Sequence, residues 1–179
     1  MDKQSIRTTM RKKRKNLSLA EKQRKDFLIL EHLKEIVAFE THIGVFLSFQ
    51  DEIDTFPIVE YLFEKGIKVS SSKIEENNLV FYQLSAPATI ETGVYNIPIP
   101  QSDVKTRAQD MGILLIPLLA FSKEKHRVGY GKGYYDRYLK NYKGLKVGLA
   151  YDFQYLPCFK TDQYDIPLDM IVTESQIMK

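Results

Sequence analysis

Cysteine and histidine are scarce in this sequence, which contains one cysteine and three histidines among 179 residues. The single cysteine, Cys158, excludes an internal disulfide framework and is typical of a protein in a reducing cytoplasm. The histidines have no spacing that suits a metal site, and neither a Ser-His-Asp nor a Cys-His arrangement is indicated. The candidates for chemistry are therefore its carboxylates, its basic residues and its glycines.

Long apolar runs are also missing. No run approaches the roughly 20 residues that span a bilayer, and no apolar segment of the kind found in secretory signals follows the basic N-terminal region. We therefore expect a cytoplasmic protein with no membrane partner. The hydrophobic fraction of 44% and the charged fraction of 27% are ordinary for a globular protein, and the length suits one domain with a sizeable core.

The net charge of +3 is too small to indicate a nucleic-acid partner by itself, but seven of the first fifteen residues are Lys or Arg. Residues 3–17 contain no Gly or Pro and predict a helix. Its apolar positions recur at helical spacing: Ile6, Met10 and Leu17. Lys3, Arg7 and Arg14 border this apolar face, so the helix is either a solvated basic surface or an anion contact at the edge of a packed interface.

Helices and β-rich apolar runs alternate in the rest of the chain. A capping box of Ser18 and Glu21 predicts a second helix from Leu19 to about Ala38. Its predicted buried side chains are Phe27, Leu30, Leu33 and Val37. A further helix is predicted over residues 58–65, and strands over residues 43–49, 67–71, 79–84, 112–119, 146–150 and 171–173. Residues 87–100 are predicted to be irregular and extended.

This alternation predicts an α/β fold. We expect a single domain over residues 1–179, with a mainly parallel central sheet flanked by helices and with a basic N-terminal helix. In open α/β sheets, ligands bind at the carboxyl ends of the strands. Two segments, residues 50–55 (QDEIDT) and residues 127–133, are therefore expected on one rim, together with residues 151–152.

Three of the nine glycines alternate within residues 127–138, which read RVGYGKGYYDRY. We call residues 129–133 the glycine loop. Alternating glycines let the backbone turn its N–H groups into one concavity that suits an anion, and Arg127 and Lys132 add positive charge. A short helix is predicted directly after the loop, and its N-terminus also favours phosphate. The pattern is neither a P-loop nor GxGxxG, so a flexible connector is the alternative to a phosphate site.

Three acidic positions are candidates for a metal or a substrate contact. Asp136 lies in the first turn of the predicted helix, where it either complements the helix dipole or holds Mg²⁺ beside a phosphate. Asp165 and Asp169 are either solvated loop charges or a second carboxylate for that metal. Glu52, in the acidic segment, either caps the helix that follows or faces the rim.

Taken together, these segments resemble the 5-formyltetrahydrofolate cyclo-ligase family, and the resemblance runs nearly from end to end. The residues that carry it are 3–7 (KQSIR), the basic run through Arg14 to Leu17 and Ser18, 50–55 (QDEIDT), 115–117 (LIP), 120–121 (AF), 127–138, 148–151 (GLAY), Gln154, Tyr164, Asp165 and Asp169. The segment 127–138 is the most specific of them, and its agreement in order with the others makes coincidence a poor explanation.

The resemblance implies an ATP- and Mg²⁺-dependent ring closure of 5-formyltetrahydrofolate to 5,10-methenyltetrahydrofolate. The formyl oxygen would attack the γ-phosphate of ATP, and N10 would then displace phosphate from the resulting imidate. Phosphoryl transfer depends on positioning and charge stabilisation, which Arg127 and Lys132 would supply as the catalytic residues. A small-molecule substrate, no nucleic acid and a monomeric state are the matching expectations.

The resemblance also implies roles for individual residues. The ATP-binding set is Lys3, Gln4, Ser5, Ile6, Arg7, Arg14, Arg127, Val128, Gly129, Tyr130, Gly131, Lys132, Gly133, Tyr134 and Tyr135. The magnesium-binding set is Asp136 and Asp165. The folate-binding set is Leu47, Glu52, Tyr130, Tyr134 and Tyr151, with Glu52 at the N–H edge of the pterin.

Two other functions are open at this point. One is a different phosphate-handling enzyme on a similar scaffold, such as a sugar-phosphate isomerase, which would turn over without ATP or folate. The other is a nucleic-acid binder that uses the N-terminal basic helix. That function needs aromatic residues or a groove-reading element near the helix, and neither is visible.

Overall fold

The chain contains both helices and strands, but they do not alternate strictly, because the described residues from Lys68 to Val128 form eight strands and no α-helix. The computed structural model describes residues 2–87, 89–93 and 96–179. The α-helices of this part are α1 (Lys3–Lys15), α2 (Leu19–Val37), α3 (Phe56–Glu64) and α4 (Tyr134–Leu139). The strands are β1 (His42–Val45), β2 (Lys68–Glu75), β3 (Asn78–Gln83), β4 (Ile90–Thr92), β5 (Pro98–Pro100), β6 (Lys105–Thr106), β7 (Ile113–Pro117), β8 (Ala120–Phe121), β9 (Arg127–Val128), β10 (Leu145–Leu149), β11 (Met170–Val172) and β12 (Ile177–Met178).

The described residues form an eight-stranded sheet in the order β12-β11-β10-β7-β1-β2-β3-β6. The five neighbours from β11 to β2 pair in parallel, whereas β12, β3 and β6 pair antiparallel at the two edges. The predicted α/β class with a mainly parallel central sheet is therefore confirmed.

The central strand β7 divides the core into two layers, because successive side chains of a strand point to opposite faces. Ile113 and Leu115 pack in a cluster with buried residues of α2 and α3. Leu114 and Ile116 pack on the other face with Leu139 of α4. A parallel strand covered on both faces must be apolar throughout, which explains the ILLIP run of β7.

Helix α1 lies outside these two layers and packs against the ribbon formed by β8 and β9. Ile6 and Met10 are fully buried there, in contact with a small apolar cluster that contains Leu119, Ala120 and Val128. Asp2 begins the helix, since its carboxylate accepts hydrogen bonds from the N–H groups of residues 4 and 5. The helix therefore carries its basic residues to the strand that leads into the glycine loop.

The predicted buried face of α2 is wrong in part. Its buried residues are Asp26, Ile29, Leu33 and Val37, whereas the Phe27 residue is 59% exposed. The physical reason is the helical period. Ile29, Leu33 and Val37 are spaced by four residues and form one row, whereas Phe27 lies roughly 120° around the helix from the middle of that row. The predicted start of the helix is confirmed, because the Ser18 hydroxyl accepts a hydrogen bond from the Glu21 N–H at 3.2 Å.

Two hairpins extend beyond the predicted strands. Strands β2 and β3 form one long antiparallel pair, joined by Glu76 and Asn77 with φ angles of 47° and 64°. Positive φ at both positions is the geometry of a tight two-residue hairpin turn. The stretch 87–100, predicted to be irregular, contains a second hairpin of β4 and β5. Residues 88, 94 and 95 of that stretch lie outside the described residues.

Over the described residues, no helix is both long enough and apolar enough to span a membrane.

The corrected buried face of α2 is testable by unfolding in urea. Ile29→Ala removes a fully buried side chain and should lower the free energy of unfolding by about 2–5 kcal/mol. Phe27→Ala is the matched control on the same helix and should change it by less than about 1 kcal/mol, because the ring is mostly in solvent. The reverse order of the two effects would contradict the fold described here.

Candidate functional site

A cavity of about 880 Å³ lies where the carboxyl ends of β1 and β7 meet the glycine loop. This volume is typical of small-molecule sites. Seven cationic and four acidic side chains line it, so the lining carries an excess of positive charge. The cations are Lys3, Arg7, Lys73, Arg127, Lys132, Arg137 and Lys140, and the acids are Glu52, Asp136, Asp162 and Asp165. The cavity is therefore suited to an anionic ligand.

The glycine loop has the backbone geometry that its composition predicts. Gly131 and Gly133 have φ angles of 101° and 67°, in a region that favours glycine. Gly133 is also the N-cap of α4. The Arg7 guanidinium packs against the loop: its Nε donates a hydrogen bond to the carbonyl oxygen of Gly129 at 2.9 Å, and a Cβ at Gly131 would lie 3.2 Å from the Arg7 Cζ. Helix α1 and the loop thus form one wall.

Arg127 is buried at the base of this wall, and its side chain forms hydrogen bonds with two other segments of the chain. Its Nη2 donates to Asp136 Oδ1 at 2.7 Å, and its Nη1 donates to the carbonyl oxygen of Ile166 at 3.0 Å. The guanidinium is nearly inaccessible, whereas the Asp136 side chain is 30% exposed. Asp136 therefore lies at the surface of the cavity with a fixed cation behind it.

Lys3 of α1 forms further ion pairs in the cavity lining, with Asp162 and Asp165. Its Nζ donates to Asp165 Oδ2 at 2.6 Å and to Asp162 Oδ2 at 2.9 Å. The Asp162 N–H in turn donates to Asp165 Oδ2 at 3.0 Å. The two acids that were predicted to hold a metal are thus each paired with a cation that was predicted to hold phosphate.

Glu52 is the buried acid of the cavity, held by donors from two directions. The Tyr130 hydroxyl donates to its Oε1, and the Phe49 N–H donates to its Oε2 at 2.9 Å. Burial raises the pKa of the Glu52 carboxyl above its ordinary value, although these hydrogen bonds and the charge of Arg14 oppose the shift. Burial also raises the pKa of the Tyr130 phenol, which therefore keeps its proton as a donor.

Most of the predicted site residues line this one cavity. They are Lys3, Arg7, Leu47, Glu52, Arg127, Val128, Gly129, Tyr130, Gly131, Lys132, Gly133, Tyr134, Tyr135, Asp136 and Asp165. Residues from α1, the acidic segment and the glycine loop are therefore brought together, although more than 100 positions separate the first from the last.

Five predicted residues are not part of this lining, among the residues that the structure describes. Ile6 is fully buried beneath α1, and Gln4 and Ser5 lie on its exposed side. Tyr151 is fully buried too: its hydroxyl donates to Asp26 Oδ1 at 2.6 Å, so the ring faces α2 and is not a wall of the cavity. Arg14 is buried one layer behind the cavity, where its Nη atoms contact the Tyr130 hydroxyl.

The cavity also contains residues that the sequence interpretation missed. Asp162 is one, and its position three residues before Asp165 was the available signal. The cations Lys73, Arg137 and Lys140 are others. A further group is apolar: Ile74, Leu79, Ile97 and Ile99. These four come from the β2–β3 hairpin and from the segment that contains β5, and no local pattern relates them to the glycine loop. Only the tertiary arrangement of the two hairpins brings them there.

The carboxylates of the cavity have the chemistry that Mg²⁺ prefers, but they are few. In the described part of the chain, no group of three or more His, Cys, Asp or Glu side chains is placed to hold a metal ion. Mg²⁺ usually binds through one or two carboxylates together with phosphate oxygens of the substrate. Asp136 and Asp165 fit that donor set. Asp169 does not line the cavity and instead accepts from the Lys146 N–H at 2.8 Å and pairs with its Nζ.

Comparison with known proteins identifies relatives over nearly the whole chain. Residues 1–174 match the 5-formyltetrahydrofolate cyclo-ligase family. The 5-formyltetrahydrofolate cyclo-ligase of Mycoplasma genitalium is 33% identical over 183 residues, which cover 96% of this chain and 98% of that protein. The enzyme of the same name from Escherichia coli K12 is 34% identical over 143 residues, or 75% of this chain and 79% of that protein.

Solved structures agree with this result. The 5,10-methenyltetrahydrofolate synthetase of Aquifex aeolicus superposes with a TM-score of 0.89 at 33% identity, covering 100% of this chain and 93% of that one. The synthetase of Mycoplasma pneumoniae gives a TM-score of 0.82 at 27% identity, covering 97% and 99%. The chain therefore belongs to the 5-formyltetrahydrofolate cyclo-ligase family.

Proposed function

We propose that the chain, as a 5-formyltetrahydrofolate cyclo-ligase, couples ring closure to the cleavage of ATP in the cavity beside the glycine loop. The observation that carries this proposal is the composition of that single cavity. Its lining combines a glycine loop and buried or half-buried cations, which suit a triphosphate, with a buried carboxylate among apolar and aromatic side chains, which suits a pterin. A sugar-phosphate isomerase could use the carboxylate as a base, but its small polar substrate would leave the apolar and aromatic part of the lining unfilled.

The proposed reaction has two displacement steps. The formyl oxygen on N5 forms a bond to the γ-phosphorus of ATP, and the bond from that phosphorus to ADP breaks. N10 then forms a bond to the formyl carbon and loses its proton, and the carbon–oxygen bond breaks to release phosphate. The formyl oxygen therefore leaves in the phosphate, and the products are 5,10-methenyltetrahydrofolate and ADP.

The charges of the cavity suit the first of these steps. A transferring phosphoryl group develops negative charge on its oxygens, and fixed cations stabilise it without reorganisation. Arg127 is the fixed cation, since two hydrogen bonds hold its guanidinium in place. Lys132 lies in the loop with an exposed side chain, so its ammonium is free to follow the phosphate during transfer. Lys3 and Arg7 extend the positive surface from α1.

The ion pairs of the cavity match the charge pattern of a metal–triphosphate. The Arg127–Asp136 and Lys3–Asp165 pairs each place a cation beside a carboxylate. Phosphate oxygens complement the two cations, and Asp136 and Asp165 would hold Mg²⁺. When bound, Mg²⁺ would neutralise part of the negative charge on the phosphate oxygens.

The folate is assigned to the part of the cavity around Glu52. A carboxylate with one oxygen directed by Phe49 and the other by Tyr130 is fixed in orientation, as recognition of the paired N–H groups of a pterin requires. Leu47, Tyr130 and Tyr134 line the same space and offer apolar and aromatic surface to a flat ring. The formyl group would then face the glycine loop, to which Tyr130 belongs.

The assignment predicts that Arg127→Ala lowers the turnover number at least a hundredfold, because the fixed cation at the phosphate is lost. The measurement is the near-ultraviolet absorbance of methenyltetrahydrofolate formed from 5-formyltetrahydrofolate and Mg-ATP. Arg107→Ala is the matched control: Arg107 forms a similar ion pair, with Asp110, outside the cavity, and should keep full activity.

No absorbance rise with the unmodified protein would exclude the proposed function. Equal rates for the two variants would show instead that Arg127 holds the loop and does not act on phosphate.

The magnesium assignment predicts a change in metal dependence. Asp165→Asn should raise the Mg²⁺ concentration that gives half-maximal turnover at saturating ATP about tenfold, because a neutral amide is a weaker ligand than a carboxylate. Asp169→Asn changes a neighbouring acid outside the cavity and should leave that concentration unchanged. A larger effect in Asp169→Asn than in Asp165→Asn would reverse the assignment of the second carboxylate.

A further inference from the structure

The Tyr130 hydroxyl is a meeting point of three segments that are distant in the sequence. Arg14 of α1 donates to its oxygen from both Nη1 and Nη2, each at 3.1 Å. The same hydroxyl donates to Glu52 Oε1. The third nitrogen of the Arg14 guanidinium, Nε, donates to Asp51 Oδ2 at 2.8 Å. The Arg14 side chain is 4% exposed and the Asp51 side chain is 16% exposed, so the contact is nearly closed to solvent.

The hydrogen-bonding capacity of a phenol fixes the direction of this chain of contacts. A tyrosine hydroxyl has one proton to donate and two lone pairs that accept. A guanidinium only donates, so the two Nη contacts use both lone pairs of the Tyr130 oxygen. The proton is then the only group left for Glu52, and Tyr130 must act as a donor to Oε1.

The donors of this arrangement favour the ionised form of Glu52. Oε1 accepts from Tyr130 and Oε2 accepts from the Phe49 N–H, and hydrogen bonds donated to both oxygens favour the charged form of the carboxyl. Burial acts in the opposite direction by favouring the neutral acid, and the charge of Arg14 counteracts it. Arg14 therefore favours the charged form of Glu52 without contacting it directly.

We propose that Arg14 is a positioning residue that directs the Tyr130 proton to Glu52 and keeps Glu52 a carboxylate for the folate, and that Asp51 holds Arg14 in that orientation. The inference rests on the proposed function only in taking folate as the ligand of Glu52. It replaces the expectation that Arg14 contacts ATP, because Arg14 lies behind the cavity and its three donor nitrogens are engaged with Asp51 and Tyr130.

The groups that face Glu52 come from each neighbouring element. Arg14 from α1 favours its charged form, and Asp51 from its own segment opposes it. Tyr130 from the glycine loop donates to it, and the phenol of Tyr135 from α4 interacts with its charge. Burial raises the pKa of Tyr135 as well, so that phenol is neutral wherever Glu52 titrates. Among these groups, Arg14 is therefore the one whose positive charge lowers the pKa of Glu52.

The test is a carbon-13 NMR titration of the Glu52 side-chain carboxyl in glutamate-labelled protein, with the signal identified by its loss in Glu52→Gln. Arg14→Gln should raise the midpoint of the titration by about one pH unit or more, because it removes an opposite charge and both phenol contacts. Lys15→Gln removes the same charge from the adjacent, exposed position of α1 and should leave the midpoint unchanged. An unchanged midpoint in Arg14→Gln would overturn the inference.

Two further measurements separate positioning from a general effect on the fold. Tyr130→Phe removes only the hydroxyl and should also raise the midpoint, so the inference is testable even if Arg14→Gln does not fold. Arg14→Lys retains the charge but not the planar fork, and should raise the KM for 5-formyltetrahydrofolate about tenfold while the KM for ATP stays constant. An equal rise in both KM values would mean that Arg14 acts by holding α1 in place.

The titration needs no substrate, so its outcome is independent of the proposed function. A shifted midpoint in a protein that forms no methenyltetrahydrofolate would retain the coupling and exclude folate as the ligand. Normal turnover with no shift in Arg14→Gln or Tyr130→Phe would retain the proposed function and exclude the coupling.

Discussion

The site depends on the packing of α1 against the strand that leads into the glycine loop. Ile6 and Met10 are completely buried in this contact, together with Val128 of β9. Full burial of two such side chains contributes several kcal/mol, on the order of 1.5–3 each. This apolar contact fixes the position of every cation that α1 supplies, because the basic residues border the buried face. Lys3 and Arg7 consequently reach the cavity, and Arg14 reaches the layer behind it.

A second layer of organisation is electrostatic. Inside the cavity, Arg127 is paired with Asp136 and Lys3 with Asp165, so each proposed metal ligand lies beside a compensating cation. Behind it, Arg14 connects the acidic segment to the glycine loop through Asp51 and Tyr130. The proposed phosphate-binding and folate-binding parts of the cavity therefore share Tyr130 and Tyr134. The contacts that position Tyr130 consequently affect both parts.

Local patterns in the sequence were sufficient to predict the fold class, whereas the resemblance to the family supplied most of the predicted residues of the cavity lining. Alternating glycines, a capping box at Ser18 and the apolar run of β7 each determine their structure within a few residues. The errors arose where tertiary packing decides. Phe27 lies outside the buried face of α2, and the Tyr151 hydroxyl is directed at Asp26 of α2 and not at the cavity. The apolar residues of the two hairpins and the role of Arg14 depend on contacts between distant segments, which no local pattern encodes.

In the proposed reaction the formyl oxygen attacks the γ-phosphate of ATP, so the fate of that oxygen distinguishes this chemistry from its alternatives. The measurement is mass spectrometry of the phosphate released from 5-formyltetrahydrofolate labelled with oxygen-18 in the formyl group. The proposed chemistry predicts that each phosphate released carries the label, together with one ADP for each methenyltetrahydrofolate formed. Unlabelled phosphate, with the label in water, would contradict it.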